Sequence, residues 1–338
     1  MTVPLNAIAI SRARADFPLA VGPQTIRTEF CALLVIVRKD RAWGVMNTVV
    51  TLIASDTIGY RQCDAVRDGL GGEVVWLAQG LAADIFCDVL PEEAERQARA
   101  ILGAAPVDVV AQERATRRKR LLLADMESTV IENEMLDELA AELDLQERIA
   151  QITARAMRGE LGFEEAIRER VRMLAGLEVA ALSRAEEKVR IMAGAETLVA
   201  TMRAHGAYCA LVSGGFDYYT KAIRKRLGFD YDQANKLGIA DQKLTGEVLP
   251  PILGSSAKRV ALETLSMQCG ISMSDAITVG DGANDMEMLA AAGMGVAFHA
   301  KPLVADAARA RIDHGDLTAL LYIQGYAFEE FVSYAELC

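Results

Sequence analysis

Residues 121–134 read Leu121-Leu-Leu-Ala-Asp125-Met-Glu127-Ser-Thr-Val-Ile-Glu-Asn-Glu134. A short apolar run ends here on two acidic residues, Asp125 and Glu127, which are followed by small hydroxyl residues and then by a helical pattern. In open α/β sheets, a buried strand that carries a carboxylate at its carboxyl end is typical of a site for chemistry. This stretch therefore predicts both the fold of the surrounding chain and the place where its chemistry occurs.

Short apolar runs alternate with helical stretches from residue 120 onward, which predicts an α/β fold with a doubly wound parallel sheet. The runs are Leu121–Ala124, Tyr208–Val212, Ala276–Val279 and Met294–Phe298. Polar or glycine-rich residues follow the first three runs, beginning at Asp125, Ser213 and Gly280. Because ligands bind beyond the carboxyl ends of such strands, we expect these three segments to meet in one crevice.

A segment of helical periodicity separates the first two of these runs. It covers about residues 132–190, which is too long for a simple crossover, and Gly159 and Gly162 divide it into helices. We interpret it as a small helical cap over the crevice, because caps of this kind exclude water and select substrate.

Residues 46–113 predict a separate α+β unit in the order strand, helix, strand, strand, helix, strand. The predicted elements are Thr48–Ala54, Thr57–Leu70, Val74–Leu77, Ala83–Val89, Pro91–Leu102 and Val107–Val110. This order resembles a ferredoxin-like, ACT-like regulatory domain by topology. Residues 114–120 are basic, and we interpret them as a solvated linker at the start of the second part of the chain, 114–338.

Residues 1–45 show no clear periodicity beyond one short apolar run. One interpretation is a poorly packed arm, and the other is a strand at Ala32–Val37 that pairs with the next domain. The two are equally compatible with the sequence.

The composition argues against a nucleic-acid-binding, membrane-spanning or secreted protein. The 338 residues carry a net charge of −11, which disfavours nucleic acid as a partner because phosphate backbones require clustered Lys and Arg. No apolar run approaches the length of about 20 residues that a membrane helix needs, and the N-terminus lacks the features of a secretory signal. The six cysteines are scattered without a Cys-x-x-Cys pair, which is typical of reduced thiols and a cytoplasmic location.

Four elements together resemble the motifs of the haloacid-dehalogenase phosphatase superfamily. They are Asp125-Met-Glu-Ser-Thr-Val-Ile, Leu211-Val-Ser213-Gly-Gly-Phe-Asp, Lys258 and Gly280-Asp-Gly-Ala-Asn284-Asp285. Each alone is more often a turn, a loop or a solvated side chain, but all four occur in order at the ends of successive strands. Within the superfamily, Glu134, the segment 156–163 and Arg170 resemble phosphoserine phosphatases, and the similarity covers about residues 120–325.

The resemblance implies a nucleophile and a metal site. Asp125 attacks phosphorus and forms an aspartyl-phosphate, and Mg²⁺, which prefers oxygen ligands, offsets the clustered negative charge. The ligands implied are the carboxylates of Asp125 and Asp281 and the backbone carbonyl of Glu127. Asp285 either holds a metal-bound water or orients Lys258.

The resemblance also implies a cradle for the phosphoryl oxygens. Ser213, the Gly214 N–H and Lys258 contact these oxygens and stabilise the charge of the transition state. Asn284 contributes to the same phosphate and metal environment.

Glu127 departs from the family pattern, which has Asp at this position. The second acid protonates the leaving serine oxygen and then deprotonates the hydrolytic water. Glutamate keeps the carboxylate but adds a methylene, so the backbone or the rotamer must adjust. The alternative is that the side chain is retracted and that only its carbonyl serves the metal.

Arg170 can be interpreted from its spacing. It falls on the apolar stripe of a predicted cap helix, Phe163–Leu174, where an unpaired guanidinium requires an anion. A substrate carboxylate fits this requirement, and snorkelling to solvent fits equally well on spacing alone. The resemblance favours substrate and implies that Glu134 binds the substrate ammonium, although an acid near a helix N-terminus is favourable anyway. Met157 and Phe163 either line the pocket or belong to the cap core.

These expectations describe a Mg²⁺-dependent hydrolase of O-phospho-L-serine, the last step of serine biosynthesis, and they are compatible with a homodimer. One alternative is the same chemistry on phosphohomoserine or phosphothreonine, or phosphate transfer to an acceptor alcohol. The other is an amino-acid-binding regulatory protein with weak activity, which the ACT-like unit and Glu127 both suggest.

Overall fold

The computed structural model describes residues 46–158 and 160–333, without the side chain of Met157. The predicted arm at 1–45 and its alternative, a strand at Ala32–Val37, lie outside the described residues, and so does the predicted contribution of the Met157 side chain to the pocket.

Residues 46–113 form a four-stranded antiparallel sheet with two helices. The elements follow in the predicted order: β1 (Thr48–Ala54), α1 (Tyr60–Leu70), β2 (Glu73–Ala78), β3 (Ala82–Cys87), α2 (Pro91–Leu102) and β4 (Val107–Glu113). The strand order in the sheet is β2-β3-β1-β4, and each neighbouring pair is antiparallel.

The first helix begins later than predicted, at Tyr60 instead of Thr57. The reason is local hydrogen bonding, since the N–H of Ile58 donates to the carbonyl of Gly80 at 2.8 Å and thus holds this segment extended. The helix ends where the glycine pair predicts, because Gly71 adopts the left-handed conformation with φ of 63°.

Alternate residues of β1 enter two different hydrophobic cores. Val50 and Leu52 pack with residues of α1 and α2, whereas Ile53 packs in a larger core that also contains Leu317 and Leu320. Because side chains alternate along a strand, the sheet is covered on both faces, and all seven residues of β1 are buried.

The remaining described chain builds a seven-stranded sheet. Its strands are β5 (Leu121–Ala124), β6 (Tyr208–Phe216), β7 (Tyr231–Ala240), β8 (Lys243–Leu249), β9 (Ala276–Gly280), β10 (Met294–Phe298) and β11 (Ala310–Ile312). Their order is β11-β10-β9-β5-β6-β7-β8, and only the β7–β8 pair is antiparallel. The four predicted strands form its centre, so the predicted α/β class with a parallel sheet is confirmed.

Helices cover both faces of this sheet. They are α3 (Met135–Ala141), α4 (Gln146–Met157), α5 (Phe163–Arg172), α6 (Ala180–Glu187), α7 (Ala195–Ala204), α8 (Asp217–Leu227), α9 (Ala257–Cys269), α10 (Met286–Ala291), α11 (Pro302–Ala307) and α12 (Ala319–Ile323). Leu122 of β5 packs with α7 and α8, whereas Leu121 and Leu123 pack with α9 and α10. Among the described residues, no helix has the length and apolar character needed to cross a bilayer.

The predicted cap insertion is helical. Helices α3 to α6 all lie between β5 and β6, within the predicted range 132–190. The predicted cap helix at 163–174 ends earlier, at Arg172, and the chain then turns so that the Gly176 N–H donates to the carbonyl of Leu244 at 2.8 Å.

The interpretation of residues 114–120 as a solvated linker is wrong for two of its side chains. Arg117 donates to the buried carboxylate of Asp84 at 2.5 Å, and the buried Lys119 donates to the carbonyl of Ser274 at 2.8 Å. A buried carboxylate requires a partner, so Asp84 holds this segment against the four-stranded sheet.

Candidate active site

Three neighbouring strand ends bring the predicted polar residues together. Strands β9, β5 and β6 are adjacent in the sheet. Asp281 and Asp125 directly follow β9 and β5, and Ser213 lies within β6, three residues before its carboxyl end. The Asp125 N–H donates to the carbonyl of Val279 at 3.0 Å, which continues the pairing of β5 with β9 up to the acid itself. The predicted convergence on one crevice therefore follows from the sheet order.

Contrary to the prediction, Lys258 does not follow a strand end but belongs to the first turn of α9. It lies between two buried carboxylates. Its Nζ is 2.7 Å from Oδ1 of Asp125 and 2.5 Å from Oδ1 of Asp285, and all three side chains are almost completely buried. Burial alone would lower the pKa of this ammonium, but the two carboxylates raise it. The lysine is therefore charged and fixed at the base of the crevice.

Three carboxylates form a compact acidic cluster. Oxygens of Asp125, Asp281 and Asp285 lie within 4.8 Å of one another. Burial and the neighbouring charge of Asp285 raise the pKa of Asp125, and the same two causes raise the pKa of Asp281 to about 6. The cluster thus brings three carboxylates together around the single ammonium of Lys258.

A glycine permits this close arrangement. A Cβ on Gly280 would lie 2.3 Å from Cγ of Asp285, so a larger residue here would displace the carboxylate that contacts Lys258. Oδ2 of Asp285 also accepts the N–H of Gly282 at 3.0 Å.

Glu127 reaches from the crevice to the first cap helix. Its Oε1 accepts the N–H of Met135, the first residue of α3, at 2.9 Å. Its Oε2 lies beside Gly215, where a Cβ would be only 2.7 Å away. Burial raises the pKa of the Glu127 carboxyl, and the charges of Glu134 and Asp125 raise it further, against the effect of the Met135 N–H.

The backbone after Ser213 is held from two sides. Oγ of Ser213, which is buried, accepts the N–H of Gly215 at 2.9 Å. Asn235 of β7, which the sequence reasoning missed, donates to the carbonyl of Gly214 at 2.8 Å and accepts the N–H of Leu253 at 2.7 Å. Because β7 was not predicted, no sequence signal placed this buried amide near the crevice.

A cavity of about 400 Å³ lies between the cap and the carboxyl ends of the strands. The predicted site residues that line it are Asp125, Glu127, Glu134, Phe163, Arg170, Gly214, Asp281 and Asn284. Ser213, Lys258 and Asp285 are buried. Lining residues that the sequence reasoning missed include Thr153, Phe216, Ser255 and Lys301.

The cap approaches the crevice closely at Phe163. A Cβ on Gly214 would lie 3.1 Å from Cζ of this ring, so the ring packs against the backbone that follows Ser213. Glu134 accepts the hydroxyl of Ser128 at 2.7 Å, which orients its carboxylate at the start of α3. Phe163 and Glu134 thus lie at the boundary between the cap and the seven-stranded part.

The Arg170 side chain is largely buried but forms few hydrogen bonds within the described residues. Its Nε donates to the carbonyl of Ala166 at 3.3 Å, and within the described residues its guanidinium forms no ion pair. Burial lowers its pKa, which the charges of Glu127, Glu134 and Asp137 oppose. A desolvated guanidinium without an ion pair that lines a cavity can bind an anionic group through two parallel hydrogen bonds.

Comparisons with known proteins agree with this geometry. Residues 122–290 match the family described as haloacid dehalogenase-like hydrolase. A phosphoserine phosphatase of Streptomyces coelicolor is 40% identical over 224 residues, which cover 66% of this chain and 55% of that protein. A phosphoserine phosphatase of Methanocaldococcus jannaschii is 39% identical over 205 residues, which cover 61% of this chain and 97% of that protein.

A solved structure extends the similarity. The unliganded probable phosphoserine phosphatase of Vibrio cholerae superposes with a TM-score of 0.70 at 31% identity, covering 84% of this chain and 88% of that one. A match of this extent includes residues that precede the seven-stranded sheet. This chain spans about half to two thirds of the length of the first curated relatives that it matches.

Proposed function

The chain belongs to the haloacid dehalogenase-like hydrolase family, and on this premise we propose that it hydrolyses O-phospho-L-serine to L-serine and phosphate. The observation that carries the proposal is that Arg170 and Glu134 line the same cavity as Asp125 and Asp281. A molecule that satisfies all four residues carries a carboxylate, an ammonium group and a phosphate.

Asp125 is oriented for attack on phosphorus. Its Oδ1 accepts the N–H of Met126 at 2.8 Å and contacts Lys258 at 2.7 Å. Oδ2 forms no hydrogen bond within the described residues and is therefore the oxygen that attacks. The phosphorus–oxygen bond to serine breaks as the new bond to Asp125 forms, and hydrolysis of the aspartyl-phosphate then releases phosphate.

The acidic cluster fits a magnesium ion. Its donors are carboxylate oxygens, which Mg²⁺ prefers, and its three carboxylates face the single ammonium of Lys258. Asp125, Asp281 and the backbone carbonyl of Glu127 would hold the ion, while Asp285 stays bonded to Lys258. When bound, Mg²⁺ supplies positive charge that lets an anionic nucleophile approach an anionic phosphate.

The phosphoryl group would sit over the end of β6. Lys258 would supply a fixed positive charge from below, and Gly214 and Asn284, which line the cavity, would supply polar groups together with the buried Ser213. Donors that are already held by the fold cost no reorganisation during the reaction.

Glu127 is the proposed acid and base. Its raised pKa favours a protonated carboxyl at rest, which donates its proton to the departing serine oxygen and then accepts one from the hydrolytic water. The side chain lines the cavity, which supports this role over the alternative in which only the carbonyl serves the metal.

The cap would select the amino acid. Arg170 binds the substrate carboxylate, since its guanidinium is desolvated and forms no ion pair within the described residues. Glu134 binds the ammonium group, and Phe163 closes the cavity against Gly214.

We also propose that residues 46–113 are a ferredoxin-like, ACT-like domain, that 114–338 are the phosphatase domain and that the cap covers about 132–190. The strand order β2-β3-β1-β4, with both helices on one face of the sheet, supports the first of these assignments.

The decisive experiment is phosphate release from phosphoserine with and without Mg²⁺, with Asp125→Asn as the matched control. We expect release that depends on Mg²⁺ and on Asp125. Parallel assays on phosphothreonine and phosphohomoserine test the substrate, and faster release from either would replace phosphoserine in the proposal. Binding of serine without any phosphate release would refute the enzymatic role.

A further inference from the structure

The buried carboxylate of Asp108, in β4, is held by a loop of the seven-stranded part. Its Oδ1 accepts the N–H of Asp313 at 2.8 Å, and its Oδ2 accepts the N–H of Gly315 at 2.8 Å. The N–H of His314 lies between them, 3.2 Å from each oxygen. Three consecutive backbone N–H groups thus surround a side chain that is 2% exposed. Such concave arrangements of N–H groups are selective for anions.

The same loop holds His299, the residue after β10. Its ring Nε2 is 2.9 Å from the carbonyl of Gly315, and its backbone N–H donates to the carbonyl of Ile312 at 2.8 Å. His299 also has a φ of 45°, which is unfavourable for a residue with a side chain. The contacts of His299 with Ile312 and Gly315 therefore stabilise the unfavourable backbone conformation of the turn at residue 299.

This turn leads directly to the crevice. Two residues later, the N–H of Lys301 donates to the carbonyl of Asp281 at 3.3 Å, and the Lys301 side chain lines the cavity. The Lys301 charge also lowers the pKa of Asp281, against the effects of burial and of Asp285. Hydrogen bonds, together with the chain from His299 to Lys301, thus connect β4 to the backbone of Asp281 in the proposed metal site.

We propose that Asp108 is a positioning residue for the crevice: by holding residues 313–315, it fixes the turn at 299–301 and so the places of Lys301 and Asp281. This inference rests on the proposed function for its kinetic consequence, but its structural consequence can be measured without substrate. It gives the four-stranded unit a defined role in the geometry of the site.

Asp108→Asn is the direct perturbation, because an amide offers one acceptor oxygen where the carboxylate offers two. We expect hydrogen exchange at the amides of His299 and Lys301 to become faster by roughly 2- to 30-fold, the range typical of coupling between separated sites. We expect the Kd for Mg²⁺, measured by calorimetry without substrate, to rise within the same range. In assays, the Mg²⁺ requirement should change more than the KM for phosphoserine.

Asp84→Asn is the matched control. Asp84 is an equally buried acid in the same sheet, but its hydrogen-bond partners among the described residues are Thr51 and Arg117, and it forms no hydrogen bond with residues 298–315. Exchange at Lys301 and Mg²⁺ affinity should remain those of the wild type.

His299→Ala keeps the inference testable if Asp108→Asn does not fold. His299 is exposed, so loss of its ring leaves the hydrophobic cores intact. The substitution removes the hydrogen bond between Nε2 and the carbonyl of Gly315, which lies between Asp108 and Lys301 in the connection. We expect it to accelerate exchange at Lys301 and to weaken Mg²⁺ binding as Asp108→Asn does. Unchanged exchange and unchanged Mg²⁺ affinity in His299→Ala, or in a folded Asp108→Asn, would overturn the inference. Neither result would affect the proposed function, which depends on phosphate release by the wild type.

Discussion

Gly215→Ala tests whether the longer acid at position 127 depends on the space beside it. The new Cβ would lie 2.7 Å from Oε2 of Glu127 and 3.0 Å from its Cδ. To reach an ordinary contact of 3.4 Å, the carboxylate must move by about 0.7 Å. The backbone at Gly215 is within strand β6 and accepts alanine without strain, so the effect falls on the acid.

The displacement acts on proton transfer and on the bond to the cap. A catalytic group misplaced by about 1 Å costs about 10²-fold in rate, so we expect kcat to fall by roughly 10- to 100-fold. The 2.9 Å bond from the Met135 N–H would weaken as well, with a cost in unfolding free energy of about 1 kcal/mol. Steady-state phosphate release and urea denaturation measure the two quantities.

A matched control and a second substitution separate space from chemistry. Gly254→Ala introduces the same methyl group where nothing lies within 4 Å, and it should leave kcat unchanged. Glu127→Asp withdraws the carboxylate by one methylene, so Gly215→Ala should cost less than about threefold in that background. Wild-type turnover in Gly215→Ala, or an equal loss in both backgrounds, would refute the reasoning.

Three further predictions address the acid, the substrate and the metal. Glu127→Gln should lower turnover by about 10²–10⁴-fold, and a wild-type rate in this variant would end the acid–base assignment. Arg170→Ala should raise the KM for phosphoserine far more than that for an aryl phosphate, whereas equal losses on both would exclude carboxylate recognition. Because the folded-state pKa of Asp281 is raised from 3.8 to about 6, metal-free protein should gain stability from this group as the pH falls from above 6 towards 4. Thermal unfolding at pH 5 and pH 7 measures this gain, which should shrink in Asp281→Asn and in the presence of Mg²⁺.

The central strands and the residues at their ends were predictable because each carries a local signal. Leu121–Ala124 is an uninterrupted apolar run that ends on Asp125, and it occupies the predicted bounds. The strand at 231–240 was missed because its apolar residues do not form a continuous or strictly alternating pattern. Asn235 was missed with it, since an isolated amide in an unpredicted strand has no recognisable context.

The basic junction shows a different kind of failure. Arg117 and Lys119 belong to a run of charges that is typical of a solvated linker. Their partners, Asp84 and the carbonyl of Ser274, are distant in sequence, and no local pattern predicts that they meet.

By itself, the sequence determined the fold class, the order of the elements in the first unit, the acids at the strand ends and the identity of the lysine that joins them. These features depend on the periodicity of neighbouring residues and on the order of motifs along the chain. Only the tertiary structure decided that Glu127 spans from the crevice to Met135, that Gly215 leaves room for it, and that Asp108 is connected to Lys301 through residues 299–315. Each of these arrangements depends on distances between segments far apart in sequence, and such distances arise only when the sheets and the cap pack together.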